Sequence, residues 1–408
     1  MNRLEKLIAE LCPDGVKYLT IPELFITRNG YTPSKANAEF WENGTIPWFR
    51  MEDIRENGRI LTKSTQYVSE KAIKGKLFPE DSIIIATSAT IGEHALIKVP
   101  SLANQRFTYL VLKDEFKSSV DMMFIFYYCF KLDEFCKTHL NQGNFASVDM
   151  KQFAEFKFPV PPLPVQREIV RILDNFTELT AELTAELTAR RKQYEYYRDL
   201  LLTFNDVNAT MFDRQTRITD LCRAVKWFTS AEYKKLGDIV TISRGVRVVR
   251  NQLNTDGTYP VFQNSMAPLG YYEKSNCPAN TTFIIAAGAA GEIGYSPVDF
   301  WAADDCYYLT CPENLNSRYV YYALICQHSY INSKVRRASV PRLGRYVIEN
   351  ITIPIPSLEE QARIVSILDR FDALCNDLTS GLPAEIEARK KQYEYYRDKL
   401  LTFKEVTV

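Results

Sequence analysis

Arginine, lysine, asparagine and glutamine residues gather in a few stretches of this 408-residue sequence, each punctuated by Gly, Pro or Asn. These side chains can hydrogen-bond the base edges of duplex DNA, arginine and lysine to guanine and the two amides to adenine. Frequent Gly, Pro and Asn are typical of loops, which can present such side chains. The candidates for DNA contact are Arg28, Tyr31, Lys35, Trp48, Arg50 and Arg106 in the first half of the chain and Arg244, Arg247, Arg250, Gln263, Asn264, Arg336, Arg337, Arg342 and Arg345 in the second.

Each candidate also has a plainer interpretation. A basic side chain on a loop often serves only solvation or a surface salt bridge, and Trp48 is expected to pack in a core rather than to contact DNA. The formal net charge is zero, whereas nucleic-acid binders usually carry a basic excess. The local distribution of charge is more favourable, because residues 334–345 include five basic side chains and no acidic one.

Residues that would support catalysis or cofactor binding do not form a recognisable pattern. The sequence lacks an Asn-Pro-Pro-Tyr or Asp-Pro-Pro-Tyr motif and a Gly-x-x-x-x-Gly-Lys-Ser/Thr loop. Gly288, Gly291 and Gly294 have the wrong spacing for a dinucleotide fingerprint and predict a structural turn. The nine cysteines include no Cys-x-x-Cys pair, and the three histidines occur in no metal motif. We therefore expect no catalytic residue, cofactor or metal, and free thiols in a reducing compartment.

The strongest signal in the sequence is an internal duplication. The octapeptide Lys-Gln-Tyr-Glu-Tyr-Tyr-Arg-Asp occurs at residues 192–199 and again at 391–398, and both copies continue into Leu-Leu-Thr-Phe. Upstream, a Gln-x-x-Ile-Val sequence begins at Gln166 and at Gln361. A repeat of this length is a duplicated domain with an attached helix rather than a solenoid unit.

Shorter matches suggest a common scaffold between the repeated helices. Residues 83–86 resemble 283–286, the pair 91–92 resembles 293–294, and Ala-Ser-Val occurs at both 146–148 and 338–340. These islands are rich in β-branched residues and are bounded by Gly, Pro and Asn, which predicts short strands. Outside them the two segments differ greatly, as expected for readers of different sequences or for drift after duplication.

The segments around the repeated octapeptides read as long helices. Apolar residues from Ile169 to Leu201 recur mostly at steps of three and four, which is typical of coiled-coil packing. This first helix should span about 38 residues, or roughly 55–60 Å. In the second copy, residues 379–383 (Thr-Ser-Gly-Leu-Pro) predict a break, with Ala384 restarting the helix behind Pro383.

In the order and the double occurrence of these motifs, the sequence resembles the specificity subunits of type I restriction–modification systems. The resemblance rests on the proline-rich entries at 159–164 and 354–356, the Gln-x-x-Ile-Val helix starts, the two octapeptides, the opening residues 7–16 and the strand starts near Lys17 and Lys234. It covers essentially the whole chain.

This resemblance implies an α+β fold in which two mixed α/β target-recognition domains are separated by two long antiparallel helical, coiled-coil regions. The expected bounds are 1–160 for the first recognition domain, 161–205 for the first helical region, 206–356 for the second recognition domain and 357–408 for the second helical region. Each domain would read one half of a bipartite, asymmetric site in double-stranded DNA. Two modification methyltransferase subunits would dock on the helical regions, and restriction (translocase/nuclease) subunits would join them.

Two other functions remain open from the sequence. The chain could be the DNA-binding or scaffold part of a related methyltransferase or phage-defence complex, or a coiled-coil scaffold without sequence specificity. A self-contained nuclease or methyltransferase is disfavoured by the missing motifs. Residues 1–11 lack the apolar core of a signal peptide and no stretch is long enough to cross a bilayer, so we expect a cytoplasmic protein without a membrane partner.

A tetrapeptide repeat in the first helix leads to a test of the spacer. Residues 177–189 read TELTAELTAELTA, and four helical residues add about 6 Å and about 40° beyond a full turn. One base pair adds about 3.4 Å and roughly 34–36°, so the rotation nearly matches one base pair. Deleting residues 181–184 is expected to shorten the unspecified gap in the DNA target by about one base pair, as read by methylome mapping. An unchanged gap, or altered bases in either half-site, would contradict the spacer role.

Overall fold

A computed structural model of the chain describes residues 3–141, 146–202, 204, 231–253, 257–377 and 379–406. The chain divides into two compact units. Unit 1 comprises Met1–Glu182 with Ala388–Val408, and unit 2 comprises Leu183–Glu387. Each unit therefore joins one α/β region to stretches of both long helical regions.

The helices are α1 (Arg3–Leu11), α2 (Ile21–Leu24), α3 (Met51–Asn57), α4 (Met122–Thr138), α5 (Met150–Glu155), α6 (Leu163–Leu202), α7 (Leu236–Ile239), α8 (Ser317–Cys326), α9 (His328–Ser333), α10 (Arg345–Glu349), α11 (Leu358–Asn376) and α12 (Leu382–Leu400). Short 3-10 helices occur at Ala38–Phe40, Glu70–Ala72, Asp114–Phe116 and Arg250–Gln252.

The strands of unit 1 are β1 (Lys17–Thr20), β2 (Phe25–Asn29), β3 (Ile46–Phe49), β4 (Ile60–Leu61), β5 (Tyr67–Val68), β6 (Ser82–Ala86), β7 (His94–Ile97), β8 (Leu102–Ala103), β9 (Phe107–Leu112) and β10 (Lys157–Val160). Those of unit 2 are β11 (Glu232–Lys235), β12 (Thr241–Arg244), β13 (Tyr259–Phe262), β14 (Gly270–Tyr272), β15 (Thr281–Ile285), β16 (Ile293–Ser296), β17 (Trp301–Ala302), β18 (Cys306–Thr310) and β19 (Thr352–Ile355).

The two units have similar sheets, but the largest sheet of unit 1 contains one additional strand, β4. Unit 1 has a five-stranded sheet β2-β9-β6-β7-β4, a three-stranded sheet β5-β3-β8 and the pair β1-β10. Unit 2 has a four-stranded sheet β12-β18-β15-β16, a three-stranded sheet β14-β13-β17 and the pair β11-β19. The central strands β6 and β15 are buried at every position, which explains their continuous apolar runs. The expected mixed α/β domains attached to long helices are thus confirmed.

Hydrogen bonds correct the sequence matches between the two halves. The amide of Gly92 bonds the carbonyl of Ala86, and the amide of Gly291 bonds that of Ile285. Residues 86–93 therefore correspond to residues 285–292. The match of 83–86 with 283–286 is wrong by one residue, and the match of 91–92 with 293–294 is wrong by three. The alignment of the two halves was shifted because both strands are short apolar runs in which no residue type marks the register.

The Ala-Ser-Val match is wrong for a similar reason. Val148 donates its amide to the Thr87 carbonyl, and Leu343 donates its amide to the Ala286 carbonyl, so these two residues occupy one framework position. The same offset of 195 residues relates Gln166 to Gln361. Residues 338–340 lie instead between Arg336 and Arg342, which correspond to Asn141 and Ser147 of unit 1.

A buried glutamine attaches each long helix to the α/β region of its unit. Gln166 is fully buried; its amide nitrogen donates to the carbonyls of Ser119 (2.8 Å) and Pro161 (2.6 Å), and its oxygen accepts from the Asp121 amide (2.8 Å). Asp121 is also the N-cap of α4, so one side chain connects the start of α6 to the start of α4.

Gln361 repeats this arrangement in unit 2. Its amide nitrogen donates to the carbonyls of Asn314 (3.3 Å) and Pro356 (3.0 Å), and its oxygen accepts from the amide of Asn316, the N-cap of α8. A tyrosine–aspartate bond of 2.5 Å then secures the next turns of each helix, Tyr127 to Asp174 in unit 1 and Tyr322 to Asp369 in unit 2.

The helical regions follow the sequence prediction closely. Helix α6 is continuous over 40 residues, including the tetrapeptide repeat. The second helical region breaks between Asn376 and Leu382, although α12 restarts at Leu382 with Pro383 second, two residues before the predicted Ala384. The restart is earlier because proline lacks only an amide that has no intrahelical partner in the first turn.

Within each unit the helical segments pair antiparallel. In unit 2, Arg191 donates to the Cys375 carbonyl at 3.4 Å, while the rings of Tyr194 and Tyr197 lie 6.4 and 5.8 Å from Phe371. In unit 1, Phe176 stacks on Tyr396 with ring centroids 5.6 Å apart. The repeated octapeptides supply aromatic residues to both of these packing layers, as their apolar periodicity requires.

The two glutamines provide a stability test. Replacing Gln166 or Gln361 by leucine keeps most of the volume but leaves a buried amide and two carbonyls unpaired. We expect the free energy of unfolding to fall by about 1–3 kcal/mol for each change, measured by chemical denaturation of the full chain. Gln152→Leu is the matched control, because the Gln152 amide is exposed and bonds only Asp149. Equal unfolding curves for all three variants would contradict the anchoring role.

Candidate nucleic-acid interface

An open cavity of about 280 Å³ in unit 1 brings together four of the six residues that the sequence predicts for the first domain. Lys35, Trp48, Arg50 and Arg106 all border it. The other lining residues are Thr32, Met51, Glu52, Asn104 and Gln105. Three cations therefore share one concave surface with one carboxylate, that of Glu52, and several neutral hydrogen-bonding groups.

Arg50 is held at this cavity by a buried carboxylate. Its backbone amide donates to Asp53 Oδ2 at 2.7 Å, and Asp53 Oδ1 accepts from the amide (2.6 Å) and hydroxyl (2.9 Å) of Thr65. The Arg50 guanidinium donates to the same Thr65 hydroxyl at 3.1 Å, while its Nε lies 3.9 Å from Glu52 and makes no hydrogen bond. The start of α3 and the guanidinium are thus positioned by one network.

Trp48 and its neighbour Tyr31 have mainly structural roles. The prediction that Trp48 packs in the core is confirmed, because the residue is only 4% exposed and its indole donates to the Tyr31 carbonyl at 2.9 Å. The Tyr31 hydroxyl bonds the Ala72 carbonyl and the Lys74 amide. Arg28 lies over the Phe78 ring at 4.4 Å and donates to the Lys76 carbonyl.

Close backbone approach defines the corresponding region of unit 2. Val246 and Tyr31 occupy one framework position, because their amides bond the carbonyls of Ala302 and Ala103. The Trp301 indole donates to the Val246 carbonyl at 2.8 Å, as Trp48 does to Tyr31. The two tryptophans make the same bond from different positions in the equivalent three-stranded sheets. Trp301 lies in the edge strand β17, whereas Trp48 lies in the central strand β3.

Gly288 is the point at which several candidate residues of unit 2 meet. It has φ +84°, and a Cβ there would lie 2.7 Å from the Asn264 carbonyl oxygen, so a glycine is required. Its amide bonds the Pro341 carbonyl, and the next amide bonds the Asn264 carbonyl. The glycine-rich stretch is thus the structural turn that its spacing predicts, and it places Asn264 beside the arginine-rich loop.

That loop, residues 336–342, is closed by reciprocal backbone bonds between Arg336 and Arg342 of 2.9 and 3.1 Å. Arg336, Arg337 and Arg342 are exposed on it, and Arg345 pairs with Glu349 at 2.8 Å.

The remaining candidates of unit 2 differ in exposure. Arg244 donates to the Asp304 carbonyl at 2.6 Å. Arg247 and Arg250 are exposed, while Gln263 is half-buried at the end of β13.

The sequence analysis missed most of the loop formed by residues 104–106 of unit 1. Asn104 and Gln105 line the cavity of unit 1 although only their neighbour Arg106 was predicted. Three consecutive base-reading residue types after a short strand were a usable signal. In unit 2 the residues at the positions of Gln105 and Arg106 are Asp304 and Asp305, which the sequence analysis did not select because it considered only basic and amide side chains.

The cysteines and the most buried histidine do not resemble catalytic groups. Burial raises the pKa of each of the eight cysteine thiols that the structure describes, to about 12 for Cys136, so they are poor nucleophiles. His94 Nδ1 lies 2.7 Å from Asp133, but Phe126 and Phe130 enclose the ring and burial lowers the pKa of His94. This pair pins β7 to α4.

Across the described residues, no helix has the length and apolar character needed to span a membrane. In the same part of the chain, no group of three or more His, Cys, Asp or Glu side chains is arranged to hold a metal ion.

The family model described as the type I restriction modification DNA specificity domain matches this chain twice, at residues 13–190 and 230–388. The chain belongs to this family. The two matched regions correspond to the two α/β regions with their helices, so this specificity subunit has two target-recognition domains. The resemblance drawn from the repeated octapeptides is thereby confirmed.

Curated relatives carry the same description. The chain is 40% identical over 398 residues to the type I restriction enzyme EcoprrI specificity subunit of Escherichia coli, covering 93% of this chain and 92% of the relative. It is 32% identical over 289 residues to the EcoR124I/EcoR124II specificity subunit of the same organism, covering 64% and 68%.

Solved structures show the same fold at low sequence identity. The S subunit of a type I restriction-modification system from M. genitalium aligns with a TM-score of 0.56 at 17% identity, over 95% of each chain. A chain from a study of complex assembly and conformational transition in a type I R-M system aligns with a TM-score of 0.63 at 16% identity, over 95% and 98%.

The arginine-rich loop of this specificity subunit leads to a binding test. Replacing Arg336 and Arg337 together by alanine is expected to weaken DNA binding and to reduce its salt dependence, because each lost phosphate contact removes roughly one unit of slope. The slope of log affinity against log salt measures this. The control is Lys234→Ala with Lys235→Ala, an equal loss of charge at side chains that bond Glu232 and Asn350. An unchanged affinity and slope for the arginine variant would identify the loop as solvated surface.

Proposed function

We propose that this subunit reads a split, asymmetric target in double-stranded DNA, one half-site for each recognition domain, and that it catalyses no reaction itself. The observation that supports this is a repeated loop framework with different side chains. Both units use the same backbone bonds to hold their loops, yet Arg50 and Arg106 of unit 1 have Gln263 and Asp305 as counterparts. A shared scaffold with divergent polar side chains suits two readers of different sequences.

The predicted candidates form the two reading surfaces in this proposal. Arg50, Arg106 and Lys35 would contact one half-site, with Trp48 as a wall of the cavity. In unit 2 the exposed arginines of residues 336–342, with Arg247, Arg250 and Asn264, would contact the other. Arg28, Tyr31, Arg244 and Arg345 already have partners within the chain, so we assign them to positioning or to phosphate contact. Gln263, which is half-buried, is the remaining predicted residue of unit 2 and would contact the same half-site.

The helical regions would act as spacer and docking platform. The tetrapeptide repeat lies where α6 passes from unit 1 to unit 2, at residues 182–183. We further propose the domain bounds stated above, at 160, 205 and 356. A cytoplasmic location without a membrane partner also remains a prediction.

Two copies of one methyltransferase subunit are the partners that the repeated octapeptides favour. Tyr196 and Tyr395 are 51% and 61% exposed, and each lies edge-on to the next tyrosine at a centroid distance of 5.4 Å. Packing explains the inward aromatic residues of the octapeptide but not an identical outward face. Two equal surfaces suit two equal partners, and restriction subunits would join the complex that they form.

Reconstitution tests this function. The chain combined with its cognate methyltransferase is expected to methylate a bipartite sequence with a fixed gap, whereas the highly purified chain alone is expected to give no methylation and no cleavage. Methylome sequencing of a strain expressing the complex reports the motif. Turnover by the chain alone would contradict the non-catalytic role. Equal competition by specific and random duplexes in a gel-shift assay would favour a scaffold without specificity.

The same complex tests the docking surfaces. Native mass measurement should show two methyltransferase subunits for each specificity chain. Tyr196→Ala and Tyr395→Ala are each expected to weaken the attachment of one of them. Tyr330→Ala is the matched control, because Tyr330 is 48% exposed but lies outside the octapeptides. An unaltered stoichiometry in the variant with both Tyr196 and Tyr395 replaced would show that the methyltransferase subunits do not dock on these tyrosines.

A further inference from the structure

Arg106 of unit 1 and Asp305 of unit 2 occupy one framework position. The carbonyl of Arg106 accepts from the Thr87 amide at 3.0 Å, and that of Asp305 accepts from the Ala286 amide at 2.7 Å. The next residues, Phe107 and Cys306, begin the strands that run beside β6 and β15. A guanidinium in one unit is therefore replaced by a carboxylate in the other.

The framework around this position is the same in detail. The amides of Gly30 and Gly245 bond the carbonyls of Phe107 and Cys306, both at 2.9 Å. A Cβ on either glycine would lie 2.2 Å from a loop carbonyl oxygen, that of Asn104 or of Ala303. Glycine is thus required at both places to let the two loops, residues 104–106 and 303–305, approach the preceding strand. Only the side chains of the loops differ.

Neither of the two side chains serves the structure of its own unit. Among the described residues, the Arg106 guanidinium and the Asp305 carboxylate have no hydrogen-bond or ion-pair partner. Their neighbours differ in this respect, since Asn104 accepts from the Arg106 amide and Gln105 accepts from Thr32. Arg106 borders the cavity with Arg50, so it lies on the surface proposed to meet DNA.

An arginine at this position is easily explained by phosphate attraction, but an aspartate is not. A carboxylate near the DNA backbone is repelled by the phosphates unless it accepts a hydrogen bond from a base. Cytosine N4 is the donor that Asp and Glu recognise in the major groove, whereas arginine recognises O6 and N7 of guanine. These two bases are partners in one base pair, so the exchange reverses the pair that is read.

We propose that Arg106 and Asp305 are the specificity-determining residues of equivalent base-reading loops, Arg106 for guanine in one half-site and Asp305 for cytosine in the other. This inference rests on the proposed function, because it requires that each recognition domain reads its own half-site. Basic charge for the backbone is then supplied in unit 2 by residues 336–342. The residues of unit 1 that correspond to Arg336 and Arg342, Asn141 and Ser147, are uncharged.

Exchanging the two side chains tests the proposal in the methyltransferase complex. Arg106→Asp is expected to change one guanine of the first half-site to cytosine, and Asp305→Arg to change one cytosine of the second half-site to guanine. Methylome sequencing reads both motifs, and in each case the other half-site and the gap should stay the same. Lys151→Asp is the control, since it makes the same charge change on the exposed face of α5, away from the cavity.

A second variant covers a complex that loses methylation after the exchange. Arg106→Ala should relax discrimination at a single position by roughly 5- to 150-fold, the value of one bidentate contact, in a binding selection from a randomised duplex library. A changed or relaxed base at one position of the correct half-site supports the proposal. Unaltered preferences at every position in the Arg106 and Asp305 variants overturn it. If the unmodified complex has no bipartite motif, the proposed function itself fails, which is a distinguishable result.

Discussion

The buried amide of Gln166, and of its counterpart Gln361, is the contact on which the rest of each unit depends. An uncharged side chain with both donors and acceptors can bond two carbonyls and one amide at the same time without placing a charge in the interior. It thereby fixes the start of a long helix against the N-terminus of α4 or α8. Once the start of the long helix is fixed against α4 or α8, the helix can continue for many turns while the sheets remain in place.

Both recognition domains can vary because this frame is independent of their loops. The glycines at 30 and 245 and the tryptophan bonds to residues 31 and 246 hold the loop backbones, and none of these bonds uses a loop side chain. Polar side chains are therefore free to change without loss of the fold. The exchange of Arg106 for Asp305 is one result of that freedom.

The basic side chains are also placed differently in the two units. The net charge of the chain is zero, yet unit 1 concentrates cations around its cavity and unit 2 concentrates them on residues 336–342. A neutral chain with local basic surfaces limits unspecific attraction to DNA, because that attraction scales with the number of phosphates neutralised. Affinity in the assembled enzyme would then depend on its partner subunits as well.

The sequence alone determined the features that come from local periodicity and from repetition. The apolar spacing from Ile169 to Leu201 is sufficient to predict a continuous helix, and the Gly-Leu-Pro sequence is sufficient to predict the break in the second copy. The duplicated octapeptides and helix starts identified the family. Each of these signals is contained in consecutive residues, so no long-range contact is needed to detect it.

Only the tertiary structure decided which residues of the two halves are equivalent and which candidates meet. Short buried strands carry no internal register, because any apolar residue fills their positions, and the matches of 83–86 and 146–148 were therefore misplaced. Hydrogen bonds between distant segments fix that register, and they reveal that Arg106 corresponds to Asp305. The tertiary contacts also distinguish Arg50, which borders the cavity, from Arg28, whose guanidinium lies over the Phe78 ring. A side chain's role as reader or as support depends on partners that lie far away in the sequence.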